Sequence, residues 1–449
     1  MSEDCFNRRC SFHLKNGDTV IGGVLSNDNN KFVVEQKDGI KREFSQNLVY
    51  SYEVYGNKGW DIEQTRGGLV GKHSAKTSGS ARTKKMIILG AGASSDFGTI
   101  NNGINIPLTN DLFNDGILIN NFPGAVNLKP KILTAVDNGE SLEDFFQEKW
   151  DEVTQKGDLD LLYKLINTQY FIQLYFWSIS QQLQNHYPNN FTRLLRHVQN
   201  YLKDKDEKEN IGVISFNYDT LFENALKNIF DYEYKTPEDY VYLKEYNFSN
   251  LKPVMFFKPH GSWNWVHTFE KRLADNAAQF GNVPSMAKFV YESQLTFADL
   301  IFSIAPKLER SDNILSEIPS LYMDNFKIIQ YNEEMNYGFY PNLLIPFSDK
   351  DNILMPKFHE SLMRLKMEEV EEILIIGWKG TEKYFNSLLK MKMGNRKIKV
   401  TYISRHTKTT EEELKKYLPL AEFHHFQGTF TSYLNKLKEK NSEEFSFFK

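Results

Sequence analysis

MIILGAGASSDFG, residues Met86–Gly98, decides how the chain folds. Four apolar residues run into Gly90-Ala91-Gly92, as a buried strand does when it feeds a glycine turn at the start of a helix. Bare backbone at such a turn suits a phosphate-bearing ligand. The same rhythm continues downstream. Helical patterns run from about Ser141 to Lys205, followed by the strand pattern GVISFNYD and a helix from Thr220. The strand-like stretches PVMFFKPHGS, NLLIPF, EILIIGW, KIKVTYIS and AEFHHFQ come next, most with a helical pattern between them. Strands alternating with helices predict an α/β fold, a doubly wound and mainly parallel sheet covered on both faces.

Composition narrows the function classes. The chain has 449 residues, with 54 Lys and Arg against 58 Asp and Glu, a net charge of −4. No bulk basic field points to nucleic acid or an anionic membrane, so any polyanion site must be local. Cys5 and Cys10 are the sole cysteines, too few for a disulfide framework or a four-cysteine zinc site. The N-terminus lacks the apolar centre of a signal peptide, and no apolar run reaches membrane-spanning length; a cytoplasmic chain without membrane contact is the expectation. The aromatic stretch YFIQLYFWSIS from Tyr170 reads as a helix buried on most sides.

Ahead of the glycine turn, residues 1–55 carry CSFHLK, TVIGGVLS, KFVVEQ, IKREF and LVYSYEV, separated by Asn-, Asp- and Gly-rich turns. Short strands with such punctuation predict a small five-stranded β-barrel. The segment resembles an Sm-like or SH3-like barrel, with an Asn-Gly-Asp turn and glycines in its second strand, which implies assembly, RNA contact or simple packing on a neighbour. Residues 56–83 are rich in Gly, Ser, Thr and Lys without periodicity and read as a flexible linker. Its GGLVGKHS fails the spacing of a phosphate loop. Lys72, Lys76, Arg82, Lys84 and Lys85 form a basic cluster that reads as a solvated linker, with a nucleic-acid contact left open. Residues 84–449 then form the nucleotide-binding domain, with a helical insertion at about 125–205 expected over the sheet's C-terminal edge.

Four predicted strand ends supply polar residues: Gly90-Ala91-Gly92-Ala93-Ser94, Asn217-Tyr218-Asp219, His260-Gly261-Ser262 and Gly377-Trp378. A dehydrogenase fingerprint would need a third glycine near Ser95 and an acidic residue closing a second strand about twenty residues on. Neither is present. His424 and His425 are adjacent in a predicted strand and face opposite sides, which argues against a shared metal.

GAGAS, INIPLT, FNYD and PHGSWNW, in that order, resemble the motifs of the sirtuin (SIR2) family, and the wording SFNYD and KPHGSWNW is similar to its bacterial anti-phage defence branch. The resemblance covers residues 85 to about 430 and implies a Rossmann-like core that binds NAD. It assigns NAD contacts to Gly90, Ala91, Gly92, Ser94, Pro107, Gly261 and Gly377, and catalytic roles to Asn217, Asp219 and His260. Asn217 would hold a water or ribose hydroxyl, Asp219 would accept from the nicotinamide amide, and His260 would take a proton near neutral pH. Asp219 also suits a helix N-cap ahead of TLFENAL. Two departures bear on the reaction: the paired Cys-x-x-Cys zinc module of protein deacylases is missing, and Trp378 stands where deacylases carry a small residue. Water becomes the expected acceptor, which makes the chain an NAD hydrolase that needs no metal; a deacylase or ADP-ribosyltransferase and a non-catalytic NAD-sensing module are the alternatives. The resemblance further implies a homo-oligomer and a partner ATPase or other defence protein.

Overall fold

The computed structural model describes residues 9–14, 19–28, 31–35, 41–45, 49–55, 82–97, 106, 112–113, 123–156, 158–183, 188–205, 209–243, 251–270, 311–314, 330–332, 337–343, 355–405, 409–438 and 447–448. Among these, strands β1 (Arg9–Leu14), β2 (Thr19–Asp28), β3 (Lys31–Glu35), β4 (Lys41–Ser45) and β5 (Val49–Tyr55) form an antiparallel sheet of order β4-β3-β2-β1-β5. The five strands fall where the turn signals separate them. β2 changes register against β3 between Val24 and Ser26, just after its paired glycines, where a bulge bends a strand.

The second sheet carries the fold. β6 (Arg82–Leu89), β7 (Glu209–Ser215), β8 (Val254–Phe257), β13 (Glu372–Ile376), β14 (Lys399–Ser404) and β15 (Glu422–Gln427) are parallel throughout, in the order β15-β14-β13-β6-β7-β8. Three successive strands run outward from β6 and three run the other way from β13, the order of doubly wound nucleotide-binding sheets. Right-handed crossovers then place the helices of the two halves on opposite faces. Met86, Ile87, Ile88 and Leu89 are successive and all buried, which requires cover on both sides, and each such side chain contributes about 1.5–3 kcal/mol.

β6 begins at Arg82, so Arg82, Lys84 and Lys85 of the basic cluster belong to a strand. Lys85 is buried and pairs with Glu372 at 2.8 Å, its direct partner across the β6–β13 register, while Lys84 reaches Glu209 at 3.3 Å. These two lysines are strand residues with acidic partners. Lys72 and Lys76 lie outside the described residues.

A third sheet was not expected. β9 (Gly261–Glu270), β10 (Ser311–Ile314), β11 (Gln330–Asn332) and β12 (Tyr337–Leu343) pair antiparallel in the order β10-β9-β12-β11. Asn342 and Leu343, which begin NLLIPF, therefore close an antiparallel strand instead of adding to the parallel sheet, and the rest of that run lies outside the described residues. Lys258-Pro259-His260 alone separates β8 from β9. Gly261 has φ of 74°, and a Cβ there would run into the Asn342 carbonyl and lie 2.9 Å from Leu343 Cα. Only glycine turns this corner.

Between β6 and β7 lie α1 (Ala91–Ser95), α2 (Pro123–Asp137), α3 (Leu142–Lys156), α4 (Leu159–Leu183) and α5 (Asn190–Lys203). α4 contains the aromatic stretch, with Tyr170, Phe171, Ile172, Tyr175, Phe176 and Ile179 all buried. Its buried amides serve the antiparallel sheet: Gln169 donates to the Leu343 carbonyl at 2.5 Å and Gln173 to that of Trp263 at 2.8 Å. α5 starts at a capping box in which Asn189 Oδ1 accepts from the Thr192 amide at 2.9 Å, and it packs against β7 and the helix that follows it, α6 (Leu221–Phe230). α7 (Lys357–Met367), α8 (Lys383–Met393), α9 (Thr409–Lys415) and α10 (Phe430–Lys436) complete the second half. No helix among the described residues is long and apolar enough to cross a membrane.

Candidate functional site

Parallel strands deliver all their C-terminal ends to one edge, and the fork between β6 and β13, where the strand order reverses, is where such sheets open a crevice. Two backbone turns meet there. The Gly90 amide donates to the Ile376 carbonyl at 3.0 Å and the Gly92 amide to the Gly377 carbonyl at 3.1 Å. A Cβ on Gly90 would lie 2.5 Å from Gly377 O, one on Gly92 2.8 Å from Gly377 Cα, and one on Gly377, at φ of 61°, 2.5 Å from Gly92 Cα. The three glycines let the turns touch and leave that contact free of side chains. Amides of Gly90, Gly92 and Ala93 are thereby bonded within the chain, so a diphosphate would have to use other donors.

Asn217 and Asp219 follow β7 and converge on α1. Asn217 Nδ2 donates to the Gly90 carbonyl at 3.0 Å and to Ser94 Oγ at 2.8 Å, and Ser94 Oγ donates to Asp219 Oδ2 at 2.7 Å. All three side chains are buried. A serine has one hydroxyl proton, and Ser94 spends it on Asp219, so the expected hydroxyl donor is an internal bridge in this arrangement. Asp219 Oδ1 accepts from the Leu221 amide at 3.1 Å, but the N-cap of α6 is Thr220, so Asp219 stands one residue ahead of the cap position the sequence suggests and bonds only the first helical amide. With two of about four acceptor positions taken, the carboxylate retains capacity for a further donor.

His260 stands at the β8–β9 corner, 4% exposed. Its ring meets Phe216 edge-on at 4.8 Å and lies 6.4 Å from Tyr218, the two residues flanking Asn217. Phe216 in turn stacks on Trp378 at 5.3 Å with the rings 8° from parallel, and Trp378 Nε1 donates to Glu382. An aromatic wall thus runs from Gly377 to His260. The corner that Gly261 makes fixes the histidine from behind. Ala91 opens α1; Pro107 lies outside the described residues.

One charged group at this edge escapes sequence reasoning. Lys258 is fully buried, and its three ammonium hydrogens go to the Asp219 carbonyl at 2.6 Å, Ser262 Oγ at 2.7 Å and Glu223 Oε1 at 2.8 Å. Burial pushes the Glu223 carboxyl up from its ordinary range, with Lys258 pulling the other way and Asp219 adding to the rise. A lysine directly after the apolar run VMFF is the signal that could have found it, since a cation there must be paired. Ser180 of α4 also reaches in, its hydroxyl accepting from the Thr220 amide at 3.2 Å.

Among the described residues no group of three or more His, Cys, Asp and Glu could hold a metal ion. His424 Nε2 meets Glu422 at 3.2 Å, and His425 stacks on Tyr402 at 4.5 Å, so the two adjacent histidines serve different neighbours.

No family model matches the chain, and no curated protein matches it. Among solved structures, a Sir2 homologue in complex with NAD is similar over 79% of this chain and 88% of its own, at 12% identity and a TM-score of 0.37. A variant Sir2 homologue in complex with ADP-ribose covers 79% and 90%, at 11% identity and 0.37. A structure addressing sirtuin substrate affinity covers 80% and 94%, at 10% identity and 0.35.

Proposed function

We propose that the chain binds NAD along the edge formed by β6, β7, β8 and β13 and hydrolyses it to nicotinamide and ADP-ribose. The observation that carries this reading is the hydrogen-bonded set Ser94, Asn217 and Asp219 at the β6–β7 edge, with His260 held beside it. The site's shape fits a dinucleotide at one test: glycines at 90, 92 and 377 keep the fork free of side chains. Cleavage of the glycosidic bond exchanges nicotinamide for water at the ribose carbon and releases one proton. His260 takes that proton from water. Asp219 offers its remaining acceptor positions to the carboxamide, and Ser94 holds it in place. Asn217, tied to the Gly90 carbonyl, sets the distance between the glycine turn and the catalytic edge. The aromatic wall of Phe216, Tyr218 and Trp378 limits water to what the reaction consumes.

The absence of cysteines beyond Cys10, and a buried Trp378 stacked on Phe216, favour water over an acyl-peptide acceptor. In the cell we assign the activity to anti-phage defence by NAD depletion, on the wording of SFNYD and KPHGSWNW, with residues 1–55 mediating self-assembly and a partner such as an ATPase raising the basal rate of the isolated chain. Incubation of the purified chain with NAD, with and without an acetylated peptide, tests the reading by chromatography. Nicotinamide and ADP-ribose should appear in equal amounts without peptide and disappear in His260→Ala. Nicotinamide formed only with peptide would replace hydrolysis by deacylation; none under any condition, with NAD still bound, would leave a sensing module.

A further inference from the structure

Trp378 directly follows Gly377, and its position is fixed in three ways. Its Cα sits against the glycine turn, since a Cβ on Gly90 would lie 2.5 Å from it. Its Nε1 donates to Glu382, and its ring meets Phe385 edge-on, 5.5 Å away at 80°. Glu382 is the N-cap of α8 and Phe385 stands three residues on, so both holds on the indole come from the first turn of one helix. The Glu382 side chain makes no capping bond to its own helix; it takes the indole N–H instead.

The orientation is passed on. Phe216 leaves β7 with its amide bonded to the Leu89 carbonyl at 3.0 Å, stacks on Trp378 at 5.3 Å and 8°, and meets Phe385 edge-on at 5.1 Å and 77°. His260 then meets the Phe216 ring at 4.8 Å and 61°. Trp378, Phe216 and Phe385 are 5%, 7% and 2% exposed. Aliphatic side chains would fill the same space without defining a plane. Aromatic rings prefer stacked and edge-to-face contacts, so each ring here constrains the plane of the next, and the bond to Glu382 sets the first.

We propose that Trp378, oriented by Glu382, is a positioning residue for His260 and acts through the Phe216 ring. The inference rests on the proton-accepting role given to His260 above. Glu382 takes no part in the chemistry; it sets the imidazole plane from two rings away. A reacting group misplaced by about 1 Å loses on the order of a hundredfold in rate, so cutting one tie of this series should cost about tenfold.

Glu382→Leu and Glu382→Gln test this as a pair. Both remove the charge at the helix start, but the glutamine keeps a carbonyl to accept the indole N–H. Glu382 is half-buried, so neither change opens the core. In the full chain labelled at histidine Cε1, the His260 signal is the one lost in His260→Gln, and ring currents make its chemical shift report where Phe216 lies. Glu382→Leu should move that signal, Glu382→Gln should keep it near its wild-type position, and Phe216→Leu should move it furthest. In NAD cleavage, Glu382→Leu should lower kcat about tenfold with KM within about twofold, and Glu382→Gln should retain most of the rate. An unmoved His260 signal in Glu382→Leu, equal displacement in the two variants, or an active enzyme whose kcat is unchanged in Glu382→Leu would each overturn the proposal. The signal is read without substrate, so failure of NAD cleavage would defeat the reading above and leave the histidine shifts to decide the positioning by themselves.

Discussion

Replacing Lys258 with methionine removes the cation on which the edge of the candidate site is built, and the structure sets the size of the effect. The ammonium is fully buried, and its departure leaves Glu223, itself 4% exposed, as an uncompensated buried carboxylate. Breaking such a pair from one side costs about 3–5 kcal/mol, because the remaining charge must either stay unpaired or take up a proton. The Asp219 carbonyl and Ser262 hydroxyl lose a donor as well. Removing both charges, in Lys258→Met with Glu223→Met, eliminates the stranded carboxylate. The lost lysine donor and the Tyr240 hydroxyl, deprived of its acceptor on Glu223, then remain, about 1–3 kcal/mol. Urea unfolding at pH 7, followed by tryptophan fluorescence, should rank the three proteins as wild type, double variant, single variant. Nicotinamide release should fall in the single variant as Asp219 loses the anchor on its carbonyl. A single variant within about 1 kcal/mol of wild type, or a double variant no more stable than the single, would refute the argument that Lys258 and Glu223 form one buried unit.

Ser94→Ala should lower stability by about 1–3 kcal/mol and abolish nicotinamide release, since Asn217 loses an acceptor and Asp219 a donor in one step; near-normal turnover would remove Ser94 from the site. Gly377→Ala adds about 1–2 kcal/mol of backbone strain at φ of 61° and about 1–3 kcal/mol of overlap with the Gly92 turn, and should show as a lower melting temperature together with weaker NAD binding. Exhaustive chelation should leave cleavage of NAD unchanged, measured as nicotinamide released before and after dialysis against a chelator. Glu411 offers a pH test away from the site: bonds from Lys415 and Tyr402 hold its carboxyl below the usual range, so its stabilising contribution is present above the unfolded pKa and is lost as pH falls through the folded one. Glu411→Gln should therefore melt lower than wild type at pH 7, and the gap should close below about pH 4.

What the sequence reveals and what it hides divide along the range of the interactions. The strand MIIL and its glycine turn, the strand VISF before Asn217, and five N-terminal strands all announce themselves locally, through apolar runs closed by turn residues. The antiparallel sheet does not. β10 and β11, SDNI and QYN, are too short and polar to alternate, and β12, YGFYPNL, carries a glycine and a proline that break a strand pattern. Lys84 and Lys85 look like linker charges because the glutamates that pair with them stand at 209 and 372. The candidate site shows the same limit more sharply: each of Ser94, Asn217, Asp219 and His260 stands out beside a strand end, yet nothing local says that Ser94 will bridge the other two polar groups.

That bridge bears on how the site can be restrained. A serine whose single proton is committed to Asp219, and an asparagine whose two amide hydrogens are committed to Gly90 and Ser94, describe a set that is internally satisfied without a ligand. Binding a carboxamide at Asp219 then adds a donor where acceptor positions remain and needs no bond broken, whereas recruiting Asn217's amide to a ribose hydroxyl would break one of two buried bonds at about 1–3 kcal/mol. Asn217 therefore acts first as the tie between the glycine turn and Ser94. Asn217→Asp separates the two roles: it can still accept a bond from water or a ribose hydroxyl, but it can donate neither to the Gly90 carbonyl nor to Ser94, whose one proton is held by Asp219. If the tie is what catalysis needs, this variant should lose nicotinamide release while still binding NAD with an affinity within about tenfold of wild type. Retained turnover in Asn217→Asp would show that the donor to Gly90 is dispensable, and would return the residue to direct contact with water.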